Sequence, residues 1–203
     1  VPDLLVTGPA DGPTLVLAHG AGAAMDSDWM NRMSGLLADR SICVVRFEFA
    51  YMAARRDGVR RPPPKAEKVM DEYRAVVAEL DGPIVIGGKS MGGRVASMVA
   101  DELRVAGLVC LGYPFHPPGA PEKLRTAHLE TLQTPTLICQ GTRDPFGTRP
   151  EVEGYALSSA IDVVWFEDGE HELKPRTKIS GFTHAQHLAS AADAVAAFVS
   201  AHR

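Results

Sequence analysis

Pro83-Ile84-Val85-Ile86-Gly87-Gly88-Lys89-Ser90-Met91-Gly92-Gly93-Arg94-Val95-Ala96-Ser97-Met98-Val99-Ala100 is the stretch whose reading decides the fold. A short β-branched apolar run leads into a glycine-flanked serine, and a segment of helical character leaves it. Strand, tight turn and helix in that order are the setting a nucleophile elbow requires. The small flanking residues have a mechanical reason, since a serine held in a strained strand-to-helix turn leaves no room for side chains two positions away on either side. The helix that follows aims its free N–H groups and positive dipole end at the serine, which favours an oxyanion there. Chance is a poor rival: ten serines and 19 glycines in 203 residues give about 0.1 accidental matches to glycine-x-serine-x-glycine.

Outward from this stretch, short Val/Ile/Leu-rich runs alternate with longer helical patterns, the signature of parallel strands joined by crossover helices. Strands are expected over Thr14 to Ala18, Ile42 to Phe49, Ile84 to Ile86, Val105 to Leu111, Thr136 to Gln140 and Asp162 to Phe166, with a weaker one around Leu4 to Thr7. Helices are expected over Trp29 to Asp39, Ala66 to Leu80, Met91 to Leu103 and Thr183 to His202, with shorter ones near Glu122 to Leu132 and Glu151 to Ser159. The fold class is α/β, a mostly parallel central sheet with helices on both faces. The 203 residues fit one domain, 1–203.

A net charge of -4, from 21 basic and 25 acidic residues spread along the chain, supplies no global field for nucleic acid or an anionic membrane. Arg55-Arg56 and Arg60-Arg61, before Pro62-Pro63-Pro64, read as a solvated loop ending at a proline stop. Cys43, Cys110 and Cys139 each lie in an apolar run and read as small core residues of a reducing compartment. No cysteine pair has metal-ligand spacing and the amino end carries no signal pattern, so a cytoplasmic location without metal or cofactor is expected.

A serine hydroxyl near neutral pH needs a base within hydrogen-bond reach and a third group to orient that base. Gly141-Thr142-Arg143-Asp144 supplies an acid just past a strand end, with Pro145 preventing a helix from starting. Asp168-Gly169-Glu170-His171 supplies a histidine after the last strand. Asp162 and Asp168 are rival acids, but either would crowd acid and base onto one loop. The candidate catalytic residues are therefore Ser90, Asp144 and His171. Two donors for an oxyanion are expected from the backbone of Met91 and of Ala21, in the turn His19-Gly20-Ala21-Gly22-Ala23, with Gly22 as neighbour. His19 reads as structural beside that turn, and Lys89 as solvated or salt-bridged. Gly22, Tyr113, His116 and Phe146 are candidate substrate contacts, and Trp29 and Phe146, which follow the oxyanion turn and the acid turn, are candidate walls for which core packing serves at least as well; what Phe115 presents to the cavity is left open.

The three motifs, Gly88-Lys89-Ser90-Met91-Gly92, Gly141-Thr142-Arg143-Asp144 and Gly169-Glu170-His171, resemble those of the α/β-hydrolase superfamily in its order of serine, acid and histidine. The likeness covers essentially the whole chain. Leu111-Gly112-Tyr113-Pro114-Phe115-His116-Pro117 with Leu173-Lys174-Pro175-Arg176 is more closely similar to a small dienelactone-hydrolase-related branch, which includes testis-expressed relatives and a chromatin-complex subunit. Dienelactone hydrolase proper carries a cysteine nucleophile where this chain has Ser90, so lactone chemistry is not implied. Between Leu111 and Thr136 the chain is too short for a cap domain. The expectation is a lidless serine hydrolase of esters or thioesters acting on a small acyl substrate, the alternative being a binding or scaffold protein that keeps the fold.

Overall fold

The computed structural model describes residues 2–203. Its strands and helices, in chain order, are β1 (Leu4–Thr7), β2 (Thr14–Ala18), α1 (Asp28–Ala38), β3 (Cys43–Phe47), α2 (Ala50–Arg56), α3 (Met70–Val77), β4 (Ile84–Lys89), α4 (Met91–Leu103), β5 (Gly107–Leu111), β6 (Thr136–Gly141), α5 (Arg149–Val152), β7 (Ile161–Phe166), α6 (Thr177–Ser180) and α7 (His184–Ala201). The seven strands form one sheet in the order β1-β3-β2-β4-β5-β6-β7. Only β1 runs antiparallel, against β3.

Alternating side chains divide the core in two, because successive residues of a strand face opposite sides of the sheet. Val16, Val45, Ile86, Leu108 and Ile138 pack with α3 and α4 on one face, and Leu15, Val44, Val85, Val109 and Leu137 pack with α1 and α7 on the other. The central strands β4 and β5 are buried on both sides, which is why they read as apolar runs, and β3 is equally buried although it carries Arg46. Cys43, Cys110 and Cys139 are free and buried among them. Tyr73 of α3 is fully buried, accepts the Gly87 N–H at 3.0 Å and donates to the Gly87 carbonyl at 2.7 Å, tying α3 to β4. Among the described residues no helix is long and apolar enough to cross a membrane.

Several expected elements differ. The strand stops at Phe47, short of the expected Phe49, and α2 follows in place of a loop. The Phe49 N–H is taken at 3.1 Å by His19 Nε2, and the Ala50 N–H at 2.6 Å by the Glu72 carboxylate, which ends the strand and starts the helix from outside. Arg56, at the end of α2, pairs with Glu48 at 2.7 Å and Asp26 at 2.9 Å, so half of the basic cluster is helical and anchored. Near Glu122 to Leu132 only a 3-10 turn forms, Ala127–Glu130. The Arg125 amide there bonds the Phe115 carbonyl at 2.8 Å, not a helical neighbour. The helix near Glu151 to Ser159 is the single turn α5, opened by a Thr148/Glu151 capping box and followed by Gly154. The expected Ala66 to Leu80 helix is divided at Val69 into a 3-10 turn and α3. No cap domain interrupts the sheet; the segment between β5 and β6 holds only its loop and that one turn.

Candidate active site

Ser90 lies between β4 and α4 with φ 51° and ψ -116°, a conformation that costs a non-glycine residue energy and persists only where neighbours over-determine it. The neighbours do so by contact. A Cβ on Gly88 would overlap Gly92 and Gly93, and one on Gly92 would lie 2.6 Å from the carbonyl oxygens of both Ala18 and His19. The turn closes only because these positions lack side chains.

The structure brings Ser90, His171 and Asp144 into one chain of hydrogen bonds. Ser90 Oγ is 2.8 Å from His171 Nε2, and His171 Nδ1 is 2.8 Å from Asp144 Oδ2. With Nδ1–H donated to a carboxylate, the neutral ring presents Nε2 as acceptor to the hydroxyl. Asp144 is fully buried and satisfied on both oxygens. Oδ1 accepts the Phe146 N–H at 2.9 Å, and Oδ2 also accepts from Gln140 Nε2 at 3.1 Å.

Gln140 was not singled out in the sequence, although a glutamine inside the apolar run Leu137-Ile138-Cys139 was the available signal. Its Oε1 accepts the Tyr113 N–H at 2.8 Å, and its Nε2 reaches the Tyr113 and Gly147 carbonyls at 3.2 Å besides Asp144. One side chain thus fixes the acid turn to the loop after β5.

The rival Asp168 turns away from the imidazole. Its carboxylate accepts from the Arg176 backbone N–H at 2.6 Å and from the Arg176 guanidinium, and Arg143 Nε lies 3.3 Å from it. These hydrogen bonds, Arg176 first, hold its pKa down at about 2. Asp168 N–H also donates to Thr142 Oγ1 at 2.8 Å, so the acid turn and the histidine loop are stitched to each other. Asp162, the other rival, lies on β7.

Met91 and Ala21 face the cavity over Ser90, and among the described residues neither backbone N–H has a protein acceptor. The Met91 N–H is one of the helix-start donors that α4 leaves free. The Ala21 turn is held from behind by Tyr51, whose hydroxyl donates to the Ala21 carbonyl at 2.9 Å. His19 is fully buried, hydrogen-bonded to Gly20 and Phe49, and burial lowers its pKa, in keeping with a structural part.

Lys89 differs from the solvated or salt-bridged side chain expected, since its hydrogen-bond partner among the described residues is a carbonyl. It is buried beneath the site, its Nζ donates to the His171 carbonyl at 2.7 Å and sits 5.5 Å from the Trp29 ring centroid. Burial lowers its pKa to about 8. Of the candidate contacts, Gly22 and Phe146 line cavities beside Ser90, and Trp29 lines one of them. Tyr113 and His116 do not reach either. Both are buried, Tyr113 with its hydroxyl on the Arg125 carbonyl at 2.9 Å and His116 with Nδ1 on the Pro117 carbonyl at 2.9 Å. Phe115 is likewise fully buried, against Tyr113.

A mostly parallel seven-stranded sheet, helices on both faces, a glycine-framed serine after a central strand and no cap together define the α/β-hydrolase fold. A lidless α/β serine hydrolase from Xanthomonas campestris superposes with a TM-score of 0.72 at 18% identity, over 97% of this chain and 88% of its own. An α/β serine hydrolase homologue from Coxiella burnetii gives 0.72 at 17%, over 95% and 89%. Est1E from Butyrivibrio proteoclasticus gives 0.70 at 15%, over 98% and 93%. At such identities the likeness is one of fold. The alpha/beta hydrolase domain model matches residues 11–200, and the chain belongs to that family.

Proposed function

We propose that the protein is a serine hydrolase that cleaves an ester or thioester through an acyl-enzyme. Ser90 is the nucleophile, His171 the general base and acid, and Asp144 the group that orients the imidazole. Ser90 Oγ attacks the acyl carbon while His171 Nε2 takes the hydroxyl proton, and the oxyanion that forms is held by the Met91 and Ala21 N–H groups. Collapse of that intermediate expels the alcohol or thiol, which receives the proton from Nε2. Water then attacks the acyl-serine, Nε2 takes its proton, and the acid leaves as Ser90 regains its hydrogen.

The observation that carries this reading is the 2.8 Å approach of His171 Nε2 to a serine hydroxyl held at positive φ. It is a loaded geometry within the reach proton transfer needs. The short segment between β5 and β6 and the open loops over Ser90 support small or exposed acyl groups. A fluorophosphonate probe is expected to label the wild type and to fail on Ser90→Ala and His171→Ala. A folded wild type that never labels overturns the proposal.

A further inference from the structure

The cavities on the two sides of Ser90 differ in chemistry. One, of about 370 Å³, presents mostly apolar surface from Trp29, Met30, Gly22 and Phe146, with Lys89 and Glu172 as one charge of each sign. The other, of about 500 Å³, is lined by Arg94 and Arg125, with Lys65 at its rim and Glu67 as its one carboxylate. Ser90, Ala21 and Phe146 belong to both. A ligand whose reacting carbon sits on Ser90 thus has one half against aromatic and thioether surface and the other against guanidinium groups.

The two arginines are under-neutralised. Arg94 Nη2 pairs with Glu67 at 2.6 Å, while its Nε is buried without an acceptor among the described residues. The Arg125 guanidinium makes no side-chain hydrogen bond and no ion pair among the described residues, and burial followed by Arg94 lowers its pKa. Holding two like charges together in a partly desolvated wall is costly unless an anion joins them. His128 beside them is kept from adding a further positive charge, since burial first and Arg94 second lower its pKa.

The wall is also rigid. Ser97 Oγ donates to the Arg94 carbonyl at 2.7 Å and bonds His128 Nε2 at 2.8 Å. The Arg125 backbone is fixed at both polar groups, its N–H on the Phe115 carbonyl at 2.8 Å and its carbonyl under the Tyr113 hydroxyl at 2.9 Å. Tyr113, buried away from the cavity, thus holds the Arg125 backbone. These bonds fix where each arginine leaves the backbone, and the planar guanidinium fork matches the two oxygens of a carboxylate better than a flexible ammonium does.

We propose that the Arg94–Arg125 cavity is a subsite for a carboxylate on the substrate, so that the bond cleaved at Ser90 joins an anionic half to an apolar half. The inference deepens the hydrolase reading and rests on it for the bond that is cut. Two ester pairs test it on either side of that bond. The acyl pair is p-nitrophenyl hydrogen adipate against p-nitrophenyl hexanoate; the leaving-group pair is 4-butyryloxybenzoate against its methyl ester. In the wild type, the carboxylate member of one pair is expected to have a kcat/KM roughly tenfold or more higher, mainly through KM, as charged hydrogen bonds allow.

Arg125→Gln is expected to bring that ratio to about unity, and Arg125→Lys to keep a substantial part of it. Because each ratio is taken within one variant, a general loss of activity does not imitate the effect. Ratios near unity in both pairs of the wild type, or a ratio unchanged in Arg125→Gln, overturn the subsite. A second measurement stands apart from turnover: adipate should raise the melting temperature of Ser90→Ala and fail to do so in Ser90→Ala/Arg125→Gln. If no ester is hydrolysed and no fluorophosphonate labels, the hydrolase reading fails by itself. Adipate binding that depends on Arg125 still upholds the anion site, and its absence overturns it.

Discussion

Phe146 stacks on His171 with ring centroids 4.1 Å apart and planes 30° from parallel. The same residue donates its N–H to Asp144 and divides the two cavities that meet at Ser90. A ring held on one face by an aromatic and at Nδ1 by a carboxylate keeps little freedom to swing from the hydroxyl. Phe146→Ala is expected to lower kcat roughly tenfold, since small misplacements of a reacting group are expensive. Phe146→Tyr should recover most of the loss in steady-state ester hydrolysis. An effect on KM alone would assign Phe146 to the cavity wall and not to the imidazole.

Gln140 satisfies several buried groups at once, so Gln140→Leu should injure fold and chemistry together. It orphans the Tyr113 N–H and strips one donor from Asp144, at a cost of roughly 3 kcal/mol in urea unfolding. Labelling by the fluorophosphonate should slow in the same variant. Unchanged stability with unchanged labelling would remove Gln140 from the account.

Lys89 predicts a pH signature. Its folded pKa, about 8, lies below the ordinary lysine value, so the charged form is the one that folding disfavours. Between these two values the unfolded chain binds the extra proton, and stability contributed through Lys89 rises with pH. The buried thiols of Cys110 and Cys139, raised by burial, act in the opposite sense above about pH 9. Comparison with Lys89→Met isolates the lysine. The stability of wild type relative to this variant should climb from pH 8 to pH 10, and a flat difference would contradict the burial argument.

Asp168 works at the other end of the scale. Its pKa is held at about 2, first by the Arg176 side chain. The stability it contributes is present above the ordinary carboxylate range, about pH 4, and is lost as pH falls through the folded value. Asp168→Asn should accordingly be less stable than wild type at pH 7, with the gap narrowing between about pH 4 and pH 2 in denaturant titrations. Since the Asp168 carboxylate itself holds Arg143 of the acid turn and Arg176 beyond the histidine, labelling of Ser90 should also slow at neutral pH.

The sheet was legible because β3 to β6 are covered on both sides and leave apolar runs broken only by single polar residues such as Arg46 and Gln140, and because α4 begins immediately after a glycine-framed serine. Ser90, Asp144 and His171 could be located by order alone, each falling just past the carboxyl end of a strand. What escaped depends on partners far along the chain. Helix α2 is set by His19 and Glu72, which are 30 and 22 residues from the amides they hold. The burial of Lys89 depends on a carbonyl 82 residues on. Tyr113 and His116 lie in the proline-rich loop at the mouth side of β5, yet that loop folds inward on Gln140 and Arg125, which nothing in its own letters announces.

The last strand, β7, occupies the sheet's margin, bonded on one side only, and its residues are mostly half-covered. The imidazole hangs from the segment directly behind it, whereas the alcohol stands on the middle of the sheet beside β4. Margins fray at lower free energy than centres. On the proposed hydrolase reading, integrity of the Ser90–His171 contact and global foldedness are then separable quantities: gentle denaturant should extinguish probe capture while the interior strands still shield their amides from hydrogen exchange.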